Sequence, residues 1–98
     1  MFISNMTHFL DDQGNIAKEM RKEGREHASF LALIVDYATK DYPPPVNATE
    51  IRCMNKTCTG LIEIEVDFEN ESIEWWCDKC AEAGRISDWQ QTKWDNRK

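Results

Sequence analysis

The sequence is short of positive charge. Across 98 residues, 12 Lys and Arg face 18 Asp and Glu, which leaves a formal net charge of -6 and a pI of about 4.8. A phosphate backbone is held by cations that displace its counterions, so this balance counts against non-specific nucleic-acid binding. Long apolar stretches are also missing. The longest unbroken run is Phe30 to Val35, far below the roughly 20 residues a membrane-spanning helix needs. No basic segment precedes Met1-Phe2-Ile3, and Asn5, Thr7 and His8 interrupt its apolar character. A secretory signal is therefore not expected, and a cytoplasmic location is. Histidine is scarce, with His8 and His27 alone, and no Gly-rich phosphate loop or Ser/His/Asp set is present. An enzyme is not expected on these grounds.

What remains is an ordinary globular composition, 41% hydrophobic and 31% charged, too apolar for wholesale disorder. A chain of this length buries a modest share of its surface and often leans on a metal, a disulfide or a partner.

Three segments separate. Residues 1–42 carry an N-terminal strand or turn and a helix. Met6 to Leu10 reads as a short strand. Asp11-Asp12-Gln13-Gly14-Asn15 reads as a turn, because Gly14 and Asn15 tolerate positive φ; its acids do not alternate as a calcium loop requires. Asn15 is a candidate cap for a helix over Ile16 to Asp41, with Gly24 marking a break. His27, Ala28, Leu31, Ile34, Val35 and Ala38 fall on one face at helical spacing. Residues 43–49, with Pro43-Pro44-Pro45, read as a stiff linker. Residues 50–98 hold strand patterns. Ile62, Ile64, Val66 and Phe68 alternate with Glu63, Glu65 and Asp67. Glu69 to Ser72 forms a turn, Ile73 to Cys77 the hairpin partner, and Arg85 to Trp89 a third, shorter strand.

The chemistry lies in four cysteines. Cys53-x4-Cys58 and Cys77-x2-Cys80 are separated by eighteen residues, enough for a hairpin that brings the pairs together. Zinc takes four ligands in a tetrahedron and is well served by thiolates. Reduced cytoplasmic thiols favour metal over two disulfides. Trp76-Cys77-Asp78-Lys79-Cys80 has the look of a redox Trp-Cys-x-x-Cys, but only eighteen residues follow Cys80, too few for the fold that motif requires. Gly60 and Gly84, each shortly after a pair, supply turn conformations at the knuckles. Arg52, Lys56, Lys79 and Arg85 flank the thiolates and would offset their charge. His27 is expected to pack rather than ligate.

Residues 51–89 resemble the zinc-ribbon family, in which two knuckles hold a metal at one end of a small antiparallel sheet. Trp76 to Cys80, Gly84 to Trp89 and Thr92 to Asp95 are similar to the C-terminal ends of small uncharacterised bacterial zinc-ribbon proteins. The resemblance implies one structural zinc ion and no established activity. The chain departs from the family in the x4 spacing of its first pair and in Ala81, where ribbons often carry glycine.

The expected fold is α+β: an N-terminal amphipathic helix followed by a small three-stranded antiparallel zinc ribbon. The helix stripe is expected to pack on the Ile62/Ile64/Val66 face or to pair with a second copy, leaving a monomer or a homodimer. Two functions compete. One is a non-enzymatic zinc-binding accessory module whose partner is another protein, with no membrane involvement. The other is a nucleic-acid-binding accessory protein that uses Trp89, Lys93, Trp94 and Arg97, since exposed aromatics beside cations stack on bases. Against the second, residues 46–98 hold seven cations and eleven acids, and Trp89 and Trp94 can instead fold back over a thin core.

Overall fold

A computed structural model describes residues 1–97. Along the chain lie β1 (Phe2–Asn5), a 3₁₀ turn (Met6–Phe9), α1 (Lys22–Lys40), β2 (Ala48–Arg52), β3 (Leu61–Asp67), β4 (Ser72–Cys77) and β5 (Ala83–Ser87). The strands form one five-stranded sheet in the order β1-β5-β4-β3-β2. β2, β3, β4 and β5 are antiparallel neighbours, while β1 runs parallel to β5. The α+β class holds, but the sheet is mixed and five-stranded rather than antiparallel and three-stranded.

The two strands that local patterning does not reveal are the edges. β2 is short and shifts register against β3 between Ala48 and Arg52. Only four residues make β1, and their partner is Gly84 to Ser87, at the other end of the chain. Strand character sits at residues 2–5 instead of Met6 to Leu10. Asn5 explains the change: its Oδ1 accepts from the Thr7 N–H at 2.9 Å, capping a helical turn that drives Met6 fully into the core.

The helix begins at Lys22, and Arg21 at its cap provides no side-chain hydrogen bond. Asn15 is not the cap; its side chain meets Lys93. Asp11 Oδ1 accepts from the N–H groups of Gln13 and Asn15 at 2.9 and 3.0 Å, which closes the expected turn. Gly24 does not break α1, because it lies in the first turn, where the intrahelical bonds that glycine weakens are still incomplete.

The α1 stripe is covered within the chain. Ala28, Leu31, Ile34, Val35 and Ala38 are fully buried, and α1 packs across β2, β3 and β4. Ile62, Ile64, Ile73, Trp75 and Ile86 supply the sheet's side of the same core. Each such aliphatic side chain contributes about 1.5–3 kcal/mol when buried. Helix and sheet therefore share one core, and residues 41–47 return the chain from α1 to β2. Phe68 does not extend the β3 stripe. It lies beyond the strand, 63% exposed, with its ring near Tyr42.

β5 ends at Ser87, two residues before its expected limit, because Asp88 adopts a φ of 51° and turns the chain. Trp89 is thereby swung inward. No helix among the described residues is long and apolar enough to cross a membrane.

His27 packs against Phe2, Phe9 and Phe30, with Nδ1 3.3 Å from the Met54 sulfur. Burial holds its pKa below the usual 6.5. The unfolded chain then takes up the proton more readily than the folded one. Stability is complete above about pH 6.5 and declines as the pH falls below it. Denaturant midpoints between pH 7.5 and 5 should decline for the native chain and flatten for His27→Phe, apart from any loss shared by both from the cysteine cluster.

Candidate metal centre

Cys53 follows the last residue of β2, and Cys77 is the last residue of β4. The β3–β4 ladder pairs Ile62 with Cys77 and so carries the second cysteine pair back beside the first. The sulfur atoms of Cys53, Cys58, Cys77 and Cys80 all lie within 4.8 Å of one another. The closest approaches are Cys53 to Cys80 at 3.7 Å and Cys58 to Cys77 at 3.6 Å. A disulfide requires about 2.05 Å, so none of the four is bridged. Metal–sulfur bonds of about 2.3 Å in a tetrahedron place sulfurs about 3.8 Å apart. The observed spacing is that of four ligands around one ion, a group able to bind a metal.

Local hydrogen bonds build both knuckles. In the first, the Cys53 N–H donates to the Gly60 carbonyl at 3.1 Å and the Cys58 N–H to the Asn55 carbonyl at 2.9 Å. Asn55 Oδ1 accepts from the N–H and hydroxyl of Thr57 at 3.1 and 2.9 Å. The x4 spacing is thus a closed turn of its own. In the second knuckle, the Cys77 N–H donates to the Glu82 carbonyl at 2.9 Å. Asp78 ties it to β3 twice, by donating to the Leu61 carbonyl at 3.0 Å and accepting the Leu61 N–H on Oδ1 at 2.9 Å. Ala81 needs no positive φ there, so the missing glycine has no consequence.

Backbone amides, more than side-chain cations, face the sulfurs. The Gly60 N–H donates to Cys58 Sγ at 3.3 Å and the Lys79 N–H to Cys77 Sγ at 3.4 Å. Of the four cations expected to offset the thiolates, Lys79 turns its Nζ to Thr59 at 3.4 Å and Lys56 is exposed in the first loop. Arg85 pairs with Glu74 at 2.7 Å across β4–β5, and Arg52 is exposed at the end of β2. Burial raises the Cys77 pKa, but the N–H groups of Lys79 and Cys80 outweigh it and bring the thiol down to about 7. Burial, reinforced by neighbouring sulfurs, pushes Cys53 up to about 12. The protein alone cannot keep all four sulfurs ionised near neutrality. A bound metal cation would supply the missing charge, and its binding would release protons.

The two glycines serve contact rather than turn geometry. Neither Gly60 nor Gly84 has a positive φ. A Cβ on Gly60 would fall on the Cys77 sulfur and 2.8 Å from Asp78 Oδ1. One on Gly84 would lie 2.7 Å from the Phe2 carbonyl and the Trp75 ring. Gly60→Ala should weaken metal affinity by at least about tenfold, measured by competition with a coloured chelator. Thr59→Ala, one residue away and exposed, should leave it nearly unchanged.

Of the four tail residues expected to contact a partner, only Trp89 is buried, while Lys93 and Arg97 are exposed. Trp89 is 1% exposed, and its Nε1 donates to the Glu71 carbonyl at 3.1 Å. The Arg97 guanidinium lies 4.5 Å from the Trp89 ring centre and 5.3 Å from that of Tyr42. It also donates to both Asp95 oxygens, which holds that carboxyl down at about 2. Lys93 reaches Asn15, and Trp94 is half-buried against the core. Thr39 Oγ1 accepts the Asn96 N–H at 2.9 Å and pins the segment to α1.

Asn55 and Asp78, which shape the two knuckles, were not singled out by cysteine spacing. The Asn-x-Thr pattern inside the first pair was the available signal for Asn55. No family model, curated protein or solved structure matches this chain.

Proposed function

We propose that this chain is a non-enzymatic zinc-binding module that recognises another protein. The reading rests above all on the closed four-sulfur cluster. Four thiolates fill a tetrahedron and leave no position for water or substrate, which suits a structural ion better than a catalytic one. Zinc fits the all-thiolate set and its tetrahedral spacing. In a sheet this small, such an ion provides cohesion that the core alone does not. The ribbon-like knuckles favour the same ion. A reduced, cytoplasmic setting would keep the thiols available.

The nucleic-acid alternative is weakened by the placement of its residues. Trp89 is buried and Arg97 is engaged with Asp95. Glu63, Glu65 and Glu74 share the sheet face opposite the core, an arrangement that repels phosphate.

Native mass spectrometry of protein purified without added metal should find one zinc per chain. Iron, or no metal, would overturn the zinc assignment. Titration with single- and double-stranded DNA and RNA at low salt should show no binding. Salt-sensitive binding that disappears in Lys93→Ala/Trp94→Ala would overturn the protein-partner reading.

A further inference from the structure

The helix and the sheet part along one side of the molecule. Between α1 and the edge strand β2 runs an open groove of about 920 Å³. Phe30, Leu33, Ile51 and Met54 line it, and Leu33 is 56% exposed. Leu33 stands outside the buried stripe of α1, so no intramolecular packing accounts for it. Its neighbours along the groove, from Lys22 and Ser29 to Tyr37 and Lys40, recur at helical spacing and make one wall. That wall is about 27 Å long at 1.5 Å per residue, the span of about eight residues of extended chain.

The charge of the groove is opposite to that of the molecule. Lys22, Arg25, Lys40 and Arg52 line it, against Glu26 and Glu50, in a chain with a net charge of -6. Lys22 and Glu26 approach only to 3.9 Å in solvent, too exposed a pair to neutralise the lysine. β2 has β3 on one side and no strand on the other. An unpaired edge beside an apolar, cationic helix wall offers what an added strand needs: backbone partners, pockets for alternate side chains, and charge to orient it.

We propose that this groove binds an extended acidic segment of a partner protein, which adds to β2 as a sixth strand with apolar residues at alternate positions. The proposal rests on the protein-interaction reading above and names the surface and the partner's chemistry. Steering by the four cations would make association fall with salt.

The test uses the full chain, loaded with zinc, to select from a displayed library of random nine-residue peptides. The enriched pool should be rich in Asp and Glu, with apolar residues at every second position. A synthetic peptide from the pool should bind Leu33→Asp and Arg25→Glu/Lys40→Glu at least about tenfold more weakly than the native chain. All three residues line the open groove, so metal content and circular dichroism should match the native chain in both variants. No enrichment, or enrichment without net negative charge, would overturn the proposal. Selected peptides indifferent to both variants would also overturn it, yet would leave a protein-interaction module standing. Oligothymidylate that binds the native chain and is lost in the same variants would overturn both readings.

Discussion

Cys77→Ser should abolish metal binding at the four-cysteine cluster and unfold the knuckle end of the sheet. Cys77 sits where an ionised sulfur is favoured, with its thiol brought down to about 7 by amide donors from Lys79 and Cys80. A serine hydroxyl in its place stays protonated near neutrality and is a poor ligand for a soft site. Structural zinc in small domains contributes about 10–16 kcal/mol of binding free energy, and a whole domain is stable by about 5–15 kcal/mol. With zinc bound as proposed, losing it would remove an amount comparable with all the stability available. Amide exchange at Cys53, Cys58, Cys77 and Asp78, whose N–H groups close the knuckles, should become fast in the variant. The native chain treated with a chelator should match it. Identical melting curves with zinc, with chelator and with Cys77→Ser would refute the structural role. The same chemistry would set an acid limit: as pH falls, protons would compete for the sulfurs and displace a bound metal.

Trp75→Ala should come close to unfolding the protein, while Trp76→Ala should be mild. The two residues are adjacent on β4 and point to opposite faces. Trp75 is 1% exposed, stacked on Phe2 at 6.1 Å and edge-on to Phe30 at 5.0 Å. It also fills the space that Gly84 leaves open on β5. Truncating a buried tryptophan costs about 3–5 kcal/mol. Trp76 lies half-buried on the other face, with Nε1 donating to Glu63 at 3.1 Å, and its loss should cost about 1 kcal/mol. Denaturant unfolding of the metal-loaded proteins measures the contrast. Equal losses at the two positions would mean that β4 is not oriented as described.

Much of this was legible in the sequence where the signal was local. The Ile62/Ile64 alternation, the hairpin turn and the helix stripe each occupy one continuous stretch, and each reads correctly; the two cysteine pairs are likewise brought together. Features that depend on distant partners do not read correctly. Phe2-Ile3-Ser4-Asn5 is too brief to read as a strand, and Gly84 to Ser87, its partner, lies at the other end of the chain. Gly60 has the right place but a different reason, because the Cys77 sulfur it accommodates arrives from another strand. Asp88 cuts β5 short through a backbone angle that its residue type permits but does not demand. The groove beside β2 is hidden for a related reason: Leu33, apolar and inside the helix, lies outside the core in space.

The parallel pairing of β1 with β5 also sets an order of events. β1 is made some eighty residues before Gly84 to Ser87, its partner. At roughly 5–20 residues per second, β1 waits on the order of ten seconds for its neighbour. By then β3, β4 and all four cysteines have been synthesised. β1 thus stays without a neighbour while α1, β2, β3 and β4 are made, and it can join the sheet only once β5 is in hand.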